Sequence, residues 1–373
     1  MSYSLVSRGT LVGLAVFSLA TFALAERSQQ PAHEESYQLK MRAVETMARA
    51  EKAILKAKQL RGLPLDPTND TGMSGLIGPE FTLTTTDRGA HTAKVLATNP
   101  NFAAAVVDML RRSKLKPGDV VAVGVTGSLP GLNVAVYSAC HVMGLKPLVV
   151  TSVGASMFGA TDPEMTWLDM EKILSDEGII PIRSVAASVG GGADNGRGLS
   201  PSGRQLLHDA ISRNGAILVE EPTLQENIRR RVAIYDSLAG PGGIRGYINV
   251  GGGLASLGGA RNGHLIPPGF SHRLPMKNFP NRGVINILGE RNIPVIHMLQ
   301  VERLAKTYGI STDPEAPSKP GKGPLFSKMK YNVPVVAGLS LILLLGQTIT
   351  LRSDLKSMLL GSIAPNGKGV ESR

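Results

Sequence analysis

Several glycine- and hydroxyl-rich strings punctuate the middle of this sequence, and their residue types suit the holding of an anion. Thr126-Gly127-Ser128-Leu129-Pro130-Gly131, Ser152-Val153-Gly154-Ala155-Ser156 and Asn249-Val250-Gly251-Gly252-Gly253 lie at or just beyond the ends of short apolar runs. Glycine lets the backbone come close to a carboxylate or phosphate and adopt positive φ, while Ser and Thr hydroxyls add donors. Thr126, Gly127, Ser128, Ser152, Ser156, Asn249, Gly251 and Gly252 are therefore candidate anion ligands. Gly190 to Gly198 (GGGADNGRG) adds Asp194, Asn195 and Arg197. Tight connections between strands and helices also favour small residues, so each string taken singly has a structural explanation.

Residues able to break bonds are fewer. Glu220-Glu221 follows the apolar AILV, and a carboxylate at a strand end can be desolvated and made a general acid or base. Neighbouring strand residues point to opposite faces, so at most one of the two enters a given cleft. Ser128 is the candidate nucleophile, although Gly127-Ser128-Leu129-Pro130-Gly131 is not a GxSxG elbow. Gly124, Gly127 and Gly131 are not spaced GxGxxG, and no GxxxxGK[ST] occurs. Cys140-His141 falls inside a helical pattern, where neighbours diverge by about 100°, so a buried thiol is expected there. His297 closes an apolar run, and Arg229-Arg230-Arg231 reads as a solvated helix face. One cysteine and no HxxxH spacing give no metal site, and no cofactor is expected.

The elements that must position these residues alternate. Apolar runs at Val120–Val125, Pro147–Thr151, Ile179–Arg183, Ala216–Glu220, Gly246–Val250 and Ile293–Met298 are separated by helical patterns. Asp162-Pro163-Glu164 and Ser200-Pro201 are helix starts, and Thr223 with Glu226 is a capping box. This is the signature of βαβ units. The expected fold is α/β, a doubly wound, largely parallel sheet with Gly-rich loops at the strand ends, over residues 87–309. Residues 26–86 supply an amphipathic helix (His33 to Arg61) and a long loop.

The ends are different. Gly9 to Ala25 carries no charge, follows Arg8 and finishes in Ala-Leu-Ala, so residues 9–25 are a signal peptide or signal anchor. Residues 333–351 form a second apolar run with basic flanks, a transmembrane helix. Residues 310–332, rich in Pro and Lys, are expected to be a solvated stalk. The positive-inside rule puts residues 1–8 and 352–373 in the cytoplasm and the body outside the cytoplasmic membrane.

The net charge of +11 would invite a nucleic-acid partner, but only 4% of the residues are aromatic and the membrane segments argue against it. Residues 245–306 carry eight basic and two acidic side chains, so the basic excess of the body is local to the Asn249–Gly259 region. Arg245, Arg261, Arg273, Lys277 and Arg282 are the candidate contacts to an anionic chain.

The strings SVGASMFGATDPEMTWLDME (Ser152 to Glu171), NVGGGLASLGG (Asn249 to Gly259) and IPVIHM (Ile293 to Met298) resemble the bacterial poly-γ-glutamate system protein family. The resemblance extends over most of the body and includes the terminal apolar segments. It implies an accessory protein of poly-γ-glutamate synthesis or export, with the polymer or its membrane synthase and export complex as partner. It transfers no catalytic set. An exported amide-bond hydrolase or transferase acting on γ-glutamyl or cell-wall material is the competing expectation, with Glu220, Glu221 and Ser128 as its residues.

Overall fold

Val120–Thr126 (VVAVGVT) is apolar almost throughout and uncharged, which suits a strand covered on both faces. It lies at the centre of the sheet in the computed structural model, which describes residues 8–34, 36–275, 277–313 and 316–361. Residues 1–7 and 362–373, most of the two expected cytoplasmic ends, fall outside the described residues. The chain forms two units, Met1–His33 with Ser327–Arg373, and Glu34–Phe326.

In chain order, α1 (Arg8–Arg27) and β1 (Gln30–His33) open the terminal unit. The body then runs α2 (Tyr37–Leu60), β2 (Thr85–Asp87), α3 (His91–Ala97), α4 (Asn101–Arg112), β3 (Val120–Thr126), α5 (Pro130–Val142), β4 (Lys146–Ser152), β5 (Ala155–Ser156) and α6 (Trp167–Asp176). It continues with β6 (Ser184–Ser188), α7 (Pro201–Arg213), β7 (Ile217–Leu218), α8 (Leu224–Leu238), β8 (Gly246–Val250), α9 (Leu254–Leu257) and α10 (Asn262–Leu265). The body's last elements are β9 (Gly269–Ser271), α11 (Val284–Glu290), β10 (Val295–Met298) and α12 (Val301–Tyr308), after which β11 (Ser327–Lys330) and α13 (Val333–Gly361) return to the terminal unit.

The central sheet has seven strands in the order β7-β6-β4-β3-β8-β10-β9. All its pairings are parallel except that of the edge strand β9 with β10. The body is thus mixed α/β with a largely parallel sheet, and the direction of chain progression reverses between β3 and β8. Alternation along β3 builds two cores. Val121, Val123 and Val125 join one with residues of α2, α4 and α5, among them Met47, Phe102 and Leu132. Ala122 joins the other with Ile228 and Val232 of α8 and Leu288 of α11. Helix α5 is buried from Pro130 to Cys140, which explains its lack of a polar face.

Three local expectations shift. The helix after Asp162-Pro163-Glu164 starts at Trp167 instead, because Asp169 Oδ2 accepts from the Thr166 backbone (2.8 Å) and hydroxyl (2.6 Å), while Asp162 only turns the chain by accepting from Glu164 N (2.9 Å). The strand expected at Ile179–Arg183 is a connection, and the strand follows at Ser184–Ser188. The segment expected as a solvated stalk is tied to the body over part of its length. Asn99 Nδ2 donates to Ser318 O (2.9 Å), Asn101 Nδ2 to Lys319 O (3.0 Å), and Leu325 and Phe326 are buried.

In the terminal unit, β1 and β11 pair antiparallel from Gln30↔Lys330 to His33↔Ser327. Helices α1 and α13 are each long and apolar enough to cross a membrane and they pack on one another. The close approach occurs at Gly346, where a Cβ would stand 3.0 Å from the ring of Phe17.

Candidate functional site

The carboxyl ends of β3, β4 and β8 meet, so the strings after them come together. Thr126 is the last residue of β3 and Ser152 the last of β4, paired directly with it. Gly251, just past β8, has φ +87° and passes so near that a Cβ would lie 2.4 Å from Thr126 Oγ1. Gly253 comes up against the same two side chains, and Gly252 between them is exposed with open space before it. Asn249 is buried and shapes this turn by donating to Gly251 O (2.9 Å). Its amide also meets His297 Nδ1 at 2.9 Å, and burial pushes His297 down to about 4, so that imidazole is neutral.

Ser152 does not face an open cleft. Its hydroxyl donates to Asp194 Oδ1 (2.7 Å), and Arg231 donates to Asp194 Oδ2 (2.7 Å), to Ser152 Oγ (2.9 Å) and to Ser188 Oγ (2.6 Å). Arg231 and Asp194 are each 1% exposed, a charge pair sealed under the strand ends. Arg231 is therefore not part of a solvated face, as its neighbours Arg229 and Arg230 are. It sits among Asn227, Ile228, Val232 and Tyr235 on the buried stripe of α8. Asp194 and Ala193 hold positive φ (63° and 54°), a conformation that non-glycine residues adopt at a cost of about 1–2 kcal/mol each.

A second cluster lies at the β3 and β4 ends. Ser128 Oγ accepts from Ser156 N at 3.0 Å, which sets the two hydroxyl-bearing residues side by side. Lys94 reaches them from α3, donating to the Ser128 carbonyl and to Ser156 Oγ, the latter at 2.7 Å. Ser128 and Ser156 are partly exposed, whereas Lys94 is 4% exposed and burial lowers its pKa to about 8. Gly89 closes over them, since a Cβ there would stand 3.0 Å from Ser156 Oγ and 3.1 Å from Lys94 Cε. Lys94 was absent from the sequence-derived candidates. Its helix has seven residues, lies just past a segment that reads as loop, and is far along the chain from both serines.

The remaining candidates are scattered. Glu220 and Glu221 follow β7, at the far edge of the sheet, three strands from β3. Glu220 is exposed and meets His208 Nε2 at 3.4 Å, and Glu221 is held through its backbone by Asn227 and Asn195. Cys140 is buried, and burial raises its thiol to about 12. Arg245 precedes β8 and Arg273 follows β9, which places both at the amino edge of the sheet, away from the glycine turn. Lys277 donates to Leu265 O (2.9 Å). Arg261 is exposed beside a recess of about 300 Å³ lined by Gly258, Gly259, Asn262, Pro280 and Asn281. Asn262 holds the two walls together by donating to Leu257 O and Asn281 O, both at 2.6 Å. Arg282 adjoins this recess and pairs with Glu290.

Comparison with protein-family models, with curated proteins and with solved structures finds no match.

Proposed function

We propose that this chain is a membrane-anchored, extracytoplasmic accessory protein of poly-γ-glutamate synthesis or export. In this reading α1 and α13 are its anchors, and the doubly wound body, with glycine-rich loops at its strand ends, binds the anionic polymer or the synthase complex that carries it. The observation that carries the reading is the recess at Gly258–Asn262 and Asn281, which lies within the basic segment 245–306 and has an exposed arginine, Arg261, on its wall. A second arginine, Arg282, stands next to it with its charge shared by Glu290. Carboxylates spaced along a flexible chain suit bidentate guanidinium donors. Of the five basic candidates, Arg261 and Arg282 belong to this surface, while Arg245 and Arg273 lie at the other edge.

Full-length protein in detergent should bind poly-γ-glutamate with an affinity that falls steeply as salt rises. The Arg261→Glu, Arg282→Glu double variant should lose at least tenfold in affinity, and the Arg245→Glu, Arg273→Glu double variant should lose little. Absence of binding at low salt, or equal loss in both double variants, would overturn this reading. The acidic side chains of the competing reading stand at the far sheet edge, three strands from Ser128, where Glu220 meets His208 (3.4 Å) and Glu221 is held through its backbone.

A further inference from the structure

Among the described residues three lysines are buried in the body, and one of them has no charge there to answer it. Lys40 ion-pairs with Asp108 (3.2 Å) and donates to Leu325 O (2.9 Å). Lys58 donates to Ile77 O (3.2 Å) in the field of Asp162 and Asp70. Lys94 touches a carbonyl and a hydroxyl, and among the described residues no carboxylate lies within ion-pair distance of it. An unpaired ammonium withdrawn from water is costly, and a Met or Leu would fill the same space without that penalty. The site keeps a basic amine against a serine oxygen at the mouth of a parallel sheet.

We propose that Ser156 and Lys94 form a serine–lysine acyl-transfer site, with Ser128 positioning Ser156 and donating to the developing oxyanion. The 2.7 Å separation of Lys94 Nζ and Ser156 Oγ serves proton transfer in either direction. Neutral Lys94 takes the Ser156 proton as Oγ attacks an amide or ester carbonyl carbon. The tetrahedral intermediate collapses, the bond to the leaving amine or alcohol breaks, and that group receives the proton back from Lys94. Water or a second amine then attacks the acyl-serine, gives its proton to Lys94, and the ester bond breaks as Ser156 Oγ recovers a proton. Hydrolysis or transfer follows from which nucleophile arrives second. The Ser128 hydroxyl accepts from Ser156 N and keeps its own proton for the substrate oxygen. Burial withdraws the Lys94 amine from bulk solvent, while both serines stay partly exposed to an incoming substrate and to the second nucleophile.

This site is separate from the basic recess at Arg261, and its test needs no polymer. Full-length protein in detergent at pH 9 is incubated with a fluorophosphonate probe and, separately, with p-nitrophenyl acetate. The expected result is one phosphonate per chain, mapped to Ser156, and a burst of one p-nitrophenolate per chain. Ser156→Ala abolishes both, Lys94→Met and Lys94→Arg slow both at least a hundredfold, and Ser128→Ala slows them several-fold, all with wild-type circular dichroism. The rate in wild type rises with pH to a plateau, and no such rise survives in Lys94→Arg. Failure of both probes in wild type, label on another residue, or full reactivity in Lys94→Arg would each overturn the proposal. Polymer binding unaffected in Ser156→Ala separates this outcome from that of the recess.

Discussion

Lys94 and Asp194 are two buried charges with opposite relations to stability. With its pKa lowered from 10.5 to about 8, the folded state disfavours the Lys94 ammonium by on the order of 3 kcal/mol. The unfolded chain binds the extra proton between those values, so this contribution to stability improves as pH rises from 8 to 10.5, and the whole penalty is present below 8. Lys94→Met should therefore melt at or above the wild-type temperature at pH 7, with the difference shrinking by pH 10. A lower melting temperature would mean that the lysine is a structural tie. Asp194 behaves otherwise, because it answers Arg231. Asp194→Ala strands the guanidinium and should lose about 3–5 kcal/mol in urea titrations. Replacing both Arg231 and Asp194 by apolar residues should lose clearly less than the sum of the single changes.

Among the elements, the meeting of β3 and β8 depends on one absent side chain. Gly251 combines a positive φ with contact against Thr126 Oγ1, so Gly251→Ala meets both backbone strain and a clash. It should destabilise by about 1–3 kcal/mol, and Thr126→Ala in the same chain should recover the part due to the clash alone. Equal stability of the single and double variants would remove the clash from the account. The alternating elements themselves were legible in the sequence, because βαβ patterning rests on local periodicity. Their edges were less so. Asp162-Pro163 offered one turn and Thr166 with Asp169 offered the helix start, and which of them acts depends on packing at Trp167. Arg231 carried a readable signal, since it shares the helical stripe of Asn227, Ile228 and Tyr235, but a run of three arginines has the composition of a solvated face whichever of them the helix buries. The Lys94–Ser156 contact had no local signal at all, because tertiary folding joins residues 62 positions apart.

At the scale of the molecule, a terminal unit is split between the two ends of the chain and the body is inserted into it. If both helices span the membrane with the body outside, a Lys306→Cys variant should react with a membrane-impermeant maleimide in intact cells. Cys140 contributes little background, being buried with its thiol raised to about 12. Labelling only after lysis would reverse the topology. The pairing of α1 with α13 also predicts that the amino-terminal helix is retained, so intact mass should include residues 9–25.

The strand pair at Gln30–His33 and Ser327–Lys330 has a consequence in time. The first strand leaves the ribosome early, and its partner follows only after the whole body has been synthesised. At about 5–20 residues per second that delay is on the order of 15–60 s. Through this interval α1 has no helix beside it and β1 presents an unpaired edge, while the intervening residues already have their own sheet to build. Closing the ladder, and then packing α13 on α1, are thus the last long-range steps available to the chain. A product cut short before Ser327 keeps an open strand and a solitary apolar helix, the features by which proteases and chaperones recognise unfinished protein.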